Sequence, residues 1–277
     1  MKLSIITVNL NNKNGLRKTI ESVVKQTFKS FEFIIIDGGS TDGSVDIIKK
    51  AENYITYWVS ESDLGIYNAM NKGILQSQGE YLQFLNSGDW LFDDNILETV
   101  FSNNKTTDII YGDAYLIKSD ESKYLYTLKP IENITMAFFL TETILHQSSF
   151  IKKELFKNTL YDETLRIVSD WKFYIQKVIF QNCTLEYINL AIVNVNSQGI
   201  SNDPIFIPVI QKEKETVLQS ILPSRIRADY DKIKPLHKKN SFNNIDLLNN
   251  TQGFQKLVLF VVNILVNTYK ILKKITG

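Results

Sequence analysis

The sequence predicts an α/β fold: a mixed, mostly parallel sheet flanked by helices and followed by a helical C-terminal appendage. Three observations predict it. Apolar strand-like runs alternate with apolar residues at helical spacing from Leu3 as far as Asn86, the rhythm of successive βαβ units. Strand patterns at Ile109 to Leu116 and Lys123 to Lys129 stand close together in sequence, which predicts an antiparallel hairpin. Beyond Ile200 the rhythm is lost, and Pro204, Pro208, Pro223 and Pro235 punctuate helical stretches up to the low-complexity run Asn240 to Asn250. The expected division is an α/β domain over residues 1–203 and a helical region over residues 204–277.

Element by element, Leu3 to Val8 is a buried strand, and Leu16, Ile20, Val23 and Val24 recur at helical spacing after it. Phe31 to Ile36 is the next strand. A helix near Ser44 to Ala51, a strand from Tyr54 to Ser60, and a helix from about Gly65 to Gln78 follow. Tyr81, Leu82, Phe84 and Leu85 form a strand that stops in the turn Asn86-Ser-Gly-Asp89. A helix follows Asp93, then the hairpin, and later a helical pattern over Trp171 to Phe180.

At 277 residues the chain is long enough to bury a substantial core. A hydrophobic content of 44%, a charged content of 22% and a formal net charge of +1 give no electrostatic argument for nucleic acid. The single cysteine, Cys183, rules out an internal disulfide and any multi-cysteine zinc site, and it fits a reducing, cytoplasmic compartment. The two histidines, His146 and His237, offer no paired metal-ligand spacing. Met1 to Val8 is too short an apolar run for a signal peptide. Lys256 to Lys274 contains an apolar stretch well short of the roughly 20 residues that span a bilayer. It reads as an amphipathic helix, which either lies peripherally on an anionic membrane surface or packs on protein, including a second subunit in a homodimer.

Chemistry gathers where strands end. Parallel strands put their carboxyl ends on one edge of the sheet, so Thr7-Val-Asn9, Asp37-Gly-Gly-Ser-Thr-Asp-Gly43 and Asn86-Ser-Gly-Asp89 should converge there. Asp37 follows four buried apolar residues, where an acid can accept hydrogen bonds from a base or a ribose. Neither a Gly-x-Gly-x-x-Gly loop nor a Walker loop is present. The turn ending at Gly65 precedes a helix carrying Asn68, Asn71 and Lys72 on its polar side, groups that suit an anionic ligand. Each of these turns also has a plain structural role open to it, as a helix cap or a solvated face.

The ordered series Ser4-Ile-Ile-Thr-Val-Asn-Leu-Asn-Asn, Gln26-Thr-Phe, Ile36-Asp-Gly-Gly-Ser-Thr-Asp-Gly-Ser, Gly65-Ile-Tyr-Asn-Ala-Met-Asn-Lys-Gly and Phe84-Leu-Asn-Ser-Gly-Asp resembles the inverting glycosyltransferases of family 2, the nucleotide-sugar enzymes with the GT-A fold. It extends to about Ile200. The Leu-Asn-Ser-Gly-Asp version is similar to the branch that builds bacterial capsule, exopolysaccharide, colanic-acid or O-antigen chains. The resemblance implies that Thr7 and Asn9 contact the nucleoside, that Asp37 holds the base, and that Asp63 is a second donor-site acid. It implies donor contacts at Tyr67, Asn71, Lys72, Asn86, Ser87 and Gly88, and a Mn2+ or Mg2+ ligand at Asp89. Here the chain departs from the commoner Leu-Asp-x-Asp-Asp pattern, since Asn86 and Gly88 replace two carboxylates, and a metal would take more water or phosphate oxygens.

Inverting transfer also needs a base for the acceptor hydroxyl. Ser169-Asp170-Trp171 resembles the family motif whose Asp, here Asp170, is that base; the other use of such a residue is an N-cap. His146 and Trp171 are candidate acceptor or sugar contacts, each with a packing role as its alternative, and Asn196 to Ser201 is a candidate loop over the diphosphate. The resemblance implies transfer of a sugar from a nucleotide-sugar donor, UDP-linked, to a lipid-linked or oligosaccharide acceptor. Nucleotidyl transfer lacks its basic, glycine-rich first loop, since Asn9 to Asn14 contains no arginine and no glycine pair. A degenerate fold that binds nucleotide or protein partners without catalysis is the non-enzymatic alternative, motivated by the missing carboxylates at Asn86 and Gly88.

Overall fold

The computed structural model of the chain describes residues 1–229, apart from 129, 131 and 133. The low-complexity run and the amphipathic segment expected at Lys256 to Lys274 lie outside the described residues.

Among the described residues, nine strands numbered in chain order form one sheet, ordered β3-β2-β1-β4-β8-β6-β9-β5 with β7 on β6. The parallel part is β1 (Leu3–Asn9), β2 (Phe31–Asp37), β3 (Tyr57–Ser60) and β4 (Tyr81–Phe84). Here β1 and β2 are buried on both faces, which explains why they read as unbroken apolar runs rather than alternating ones. β8 (Ser149–Lys152) turns the sheet antiparallel beside β4 and is followed by β6 (Ile109–Ile117). The hairpin of β6 and β7 (Lys123–Tyr126) is antiparallel as expected, and the sheet is mixed. β9 (Leu185–Asn196) pairs parallel with β6 and antiparallel with the short β5 (Trp90–Leu91), which brings its end next to the Asn86–Asp89 turn.

Helices cover the sheet where the apolar spacing demands. On α1 (Lys13–Val24), Leu16, Ile20 and Val23 recur on one side and join Leu3, Ile5, Phe33 and Ile35 in a core shared with α2 (Ser44–Lys50) and α4 (Ile96–Phe101). Asn12 starts α1 by accepting the Gly15 amide at 3.1 Å. On the other side of β1, α3 (Ile66–Gln76) approaches so closely that a Cβ on Gly73 would overlap the Ile6 side chain. The strand expected from Tyr54 begins later, at Tyr57, because Glu52–Tyr54 closes a 3-10 turn first.

The helix expected through Phe180 is α6 (Ser169–Tyr174), which widens into a π-helix over Ile175–Phe180. Phe173 on α6 stacks on Phe156 at 4.4 Å between ring centroids, and Tyr161 packs against both Phe84 and Phe173. These rings fix α6 beside the end of β4. Further helices among the described residues include α5 (Phe138–Thr141) and α7 (Ile207–Ile221).

Contacts divide the chain into Met1–Val217 and Leu218–Gly277. The last part of the first unit is the leading stretch of α7. Glu213 lies in that stretch. Its carboxylate accepts the backbone amides of Arg166, Ile167 and Val168 at 2.6, 3.0 and 3.2 Å, tying α7 to the segment that enters α6.

Gly73→Ala should destabilise the protein by about 1–3 kcal/mol, because the added methyl overpacks the α3–β1 contact. The sign is opposite to the gain of roughly 1 kcal/mol usual for this change inside a helix. Urea unfolding measures it, and an unchanged or higher midpoint would show that α3 can back away from Ile6.

Candidate active site

Strand register builds the first part of the site. Asn9 on β1, Asp37 on β2 and Ser60 on β3 are register partners in a row, each at the carboxyl end of its strand. Asp37 is fully buried, and its oxygens take four hydrogen bonds. Asn9 Nδ2 and Ser40 Oγ donate to Oδ1, both at 2.6 Å, while the Ser40 amide at 2.9 Å and Ser60 Oγ at 2.5 Å donate to Oδ2. Burial pushes the proton affinity of this carboxyl up, but the donors from Ser40, Ser60 and Asn9 outweigh it and hold the group below its ordinary range. The Asn9 amide must turn its nitrogen to the carboxylate, which leaves Asn9 Oδ1 buried without a donor. Asp63 lies across this cradle, where a Cβ on Gly38 would stand 2.5 Å from its Oδ2; its Oδ1 accepts the Gly65 amide at 2.9 Å.

The second part is the turn after β4. Ser87 donates its amide to Val8 O at 3.0 Å, so the turn continues alongside β1. Gly88 has φ 103°, a left-handed conformation suited to glycine. Thr19 on α1 fastens the turn, accepting the Gly88 amide at 3.0 Å and donating to Asp89 O at 2.7 Å. Asn12 holds it from the side by donating to Ser87 O at 2.8 Å. Asp89 Oδ1 accepts the Asn196 amide at 2.8 Å, so the Asn196–Ser201 loop begins at this corner. Burial pushes the Asp89 carboxyl up to about 6, against the opposing pull of that amide, His146 and Gln147.

The third part joins α3, the His146–Ser148 turn before β8, and α6. Asp170 does not cap α6. Its Oδ2 lies 3.0 Å from His146 Nδ1 and its Oδ1 lies 2.9 Å from the Tyr67 hydroxyl. His146 Nε2 is 3.3 Å from Asn86 Nδ2, so Asn86, His146, Asp170 and Tyr67 form one chain of polar contacts. Burial would raise the Asp170 carboxyl, but the His146 hydrogen bond and charge and the Tyr67 hydroxyl bring it below the ordinary range. It is ionised at neutral pH.

The structure thus brings together Asn9, Asp37 and Asp63 in one cradle and Tyr67, Asn86, His146 and Asp170 in another, with Ser87, Gly88 and Asp89 in the turn beside them. Other expected contacts are turned inward. The Thr7 hydroxyl is buried and donates to Leu85 O at 2.7 Å, joining β1 to the end of β4. Asn71 is clamped to the Tyr161 backbone, donating to its carbonyl at 2.9 Å and accepting its amide at 3.0 Å, and its nitrogen also reaches Glu163. Lys72 pairs with Glu61 at 2.7 Å. Trp171 is 2% exposed, and its indole N–H donates to Phe139 O, so its ring offers no open platform for a sugar. Thr19 and Glu213 are site-building residues that lie in no motif, whereas Ser40 lies in the Ile36–Ser44 motif and Ser60 opens the turn that ends at Gly65.

The donor set bears on a divalent cation. Asp89 is a buried carboxylate that no described lysine, arginine or histidine pairs with, and Asn86 Oδ1 is a buried acceptor without a partner. Both fit a hard cation. Among the described residues no three acidic, histidine or cysteine side chains converge to hold a metal, so a cation here would take most of its oxygens from ligand or water.

An acid cradle across parallel strand ends, beside a glycine turn with a buried carboxylate, belongs with this sheet order to the GT-A nucleotide-sugar transferases. The chain is a member of glycosyl transferase family 2, whose sequence model matches residues 4–179, and it is a glycosyltransferase. It is 29% identical over 214 residues to a PGL/p-HBAD biosynthesis glycosyltransferase of Mycobacterium bovis, covering 72% of this chain and 78% of that one. It is 28% identical over 153 residues to the glycosyltransferase GlyA of Streptococcus pneumoniae, covering 51% of this chain and 22% of that one. In fold it is similar to S. aureus TarS solved with UDP-GlcNAc, with a TM-score of 0.59, 17% identity, and 72% and 59% of the two chains covered. A mannosyltransferase, PcManGT from Pyrobaculum calidifontis, solved with GDP-Man and Mn2+, matches with a TM-score of 0.56 at 10% identity over 96% and 80% of the two chains. This chain spans 60% of the length of TarS solved with UDP.

Asp89 also predicts a pH effect. Its folded value of about 6 lies above the ordinary 3.8, so the folded state holds the proton more tightly than the unfolded one. The stability it contributes is complete below the ordinary value and is lost as pH rises through the folded one, at about 1.4 kcal/mol per pH unit. In EDTA, the stability of Asp89→Asn relative to the parent should therefore grow by about 2–3 kcal/mol from about pH 4 to about pH 7. Paired urea titrations test this, and a difference independent of pH would contradict the burial argument.

Proposed function

We propose that this enzyme is an inverting transferase that moves a sugar from a UDP-linked donor to a lipid-linked or oligosaccharide acceptor in the synthesis of a bacterial surface polysaccharide. The observation that carries the reading is the Asp170 carboxylate, held on both oxygens beside the Asn86–Asp89 turn. The nucleoside lies against Asn9 and Asp37, with Asp63 at its side, and the diphosphate lies toward Ser87, Gly88 and Asp89. The acceptor hydroxyl attacks the anomeric carbon opposite the leaving diphosphate. Asp170 takes the hydroxyl proton as the new C–O bond forms and the old one breaks, which inverts the configuration. A Mn2+ or Mg2+ ion held by Asp89, when bound, supplies positive charge to the departing diphosphate. The glycine turn sets the phosphates close to the backbone, and the Asn196–Ser201 loop limits water access beside it.

The donors bound in the two solved structures support a nucleotide-sugar donor, and the names of the mycobacterial and streptococcal relatives support glycosyl transfer. They do not choose the sugar. The working place in this reading is the cytoplasmic face of the membrane, with peripheral contact through Lys256 to Lys274. Among the described residues, no helix is long and apolar enough to cross a membrane.

A screen of nucleotide sugars for thermal stabilisation with Mn2+ tests the donor class, and no stabilisation by any of them would count heavily against the reading. Asp170→Asn should lower turnover by about 10²-fold or more while leaving UDP binding nearly intact. If it keeps most of its turnover, another group is the base. Asp89→Ala should weaken UDP binding in Mn2+ and leave metal-free binding unchanged; equal binding in both conditions would remove its role.

A further inference from the structure

The carboxylate assigned as base does not stand alone. His146 sits in the short turn before β8 with a side chain 14% exposed, and Asp170 with one 15% exposed. Tyr67 comes from α3 on the opposite side of Asp170. A carboxylate bonded at one oxygen can still turn about its last torsion. One bonded at both oxygens, from two separate elements, has its plane fixed and its remaining lone pairs aimed.

The imidazole is itself held. In one orientation of the Asn86 amide, Nδ2 donates to His146 Nε2, so the ring is neutral and carries its proton on Nδ1, toward Asp170. In the reversed orientation the unpartnered Asn86 Oδ1 accepts from Nε2–H, and the ring donates from both nitrogens. Both orientations put an N–H on Nδ1 facing Asp170 Oδ2. Asn86 lies in the same turn as Asp89, so the imidazole bridges the donor corner and the base.

We infer that His146 is a positioning residue, which together with Tyr67 fixes the Asp170 carboxylate and ties its orientation to the Asn86–Asp89 turn. The Tyr67 hydroxyl has one proton and two acceptors, Ile167 O at 2.5 Å and Asp170 Oδ1 at 2.9 Å. When Asp170 gains the acceptor's proton it can donate a hydrogen bond to the Tyr67 oxygen, while the Tyr67 hydroxyl keeps its proton and donates its hydrogen bond to Ile167 O. The same contact thus serves both protonation states of the base. The inference rests on the reading of Asp170 as base, and its test separates the two.

Protein labelled with 15N-histidine carries only His146 and His237, so a ring resonance is assigned by a single His237→Asn variant. The ligand-free enzyme should show a slowly exchanging Nδ1–H for His146 that moves upfield in Asp170→Asn. A His146 ring that exchanges freely, or does not respond to that substitution, overturns the clamp without touching the assignment of the base. The kinetic arm measures UDP release from UDP-GlcNAc in Mn2+ with water as acceptor. His146→Ala should lower kcat by about 10²-fold with donor KM within about threefold. His146→Asn, whose amide nitrogen takes the place of Nδ1, should recover about tenfold over Ala; His146→Gln, whose nitrogen takes the place of Nε2, should not. Should the Ala variant fail to fold, the comparison of Asn with Gln decides. Equal kcat for Asn and Gln overturns the inference, whereas unimpaired release by Asp170→Asn overturns the base, and the His146 resonance then decides the clamp by itself.

Discussion

The buried charge of Asp37 is the constraint on which much of this molecule depends. A carboxylate taken from water at the end of a central strand costs several kcal/mol unless donors surround it, and here four hydrogen bonds come from three residues, Asn9 and Ser60 on the flanking strand ends and Ser40 in the turn after β2. Such a set of donors exists only if β1, β2 and β3 keep one register, with Asn9, Asp37 and Ser60 in line. A slip of one residue in β1 or β3 would turn its side chains to the other face and take away the Asn9 or Ser60 donor, leaving the acid to Ser40 and the one that remains. The polar edge therefore also reports whether the apolar strands beneath it are correctly aligned.

The second cradle is built differently. Asp170 is far from Tyr67 and His146 in sequence, and no register joins α3, α6 and the turn before β8. Aromatic packing does the work instead: Phe84, Phe156, Tyr161 and Phe173 hold α6 against the end of β4, while Asn71 locks α3 to the Tyr161 backbone. Glu213 secures the segment entering α6 from the other side. A residue expected to touch the donor, Asn71, thus contributes by placing those that face the site.

The fold was largely legible because period-2 and period-3.6 apolar patterns follow from backbone geometry alone. Parallel strands then force the ends of β1, β2 and β4 to one edge, so the placing of Asn9, Asp37 and Asp89 along that edge follows from the sequence pattern. Thr7 sits in the motif of Asn9 and Trp171 in that of Asp170, yet their polar atoms are spent on Leu85 O and Phe139 O. A motif marks where a side chain sits along the chain, and the direction it points depends on packing from distant segments.

By itself, the sequence determined the alternation of strands and helices, the edge at which polar turns gather, and membership of a transferase family through five ordered motifs. Tertiary structure decided which of those polar residues face one another. His146 meets Asp170, Asn86 meets His146, and Tyr67 closes the far side, although these residues lie on four separate segments. The physical reason is range. Periodicity and turn chemistry act over a few neighbouring residues, whereas a hydrogen bond between distant segments forms only after the core has fixed where each of them lies.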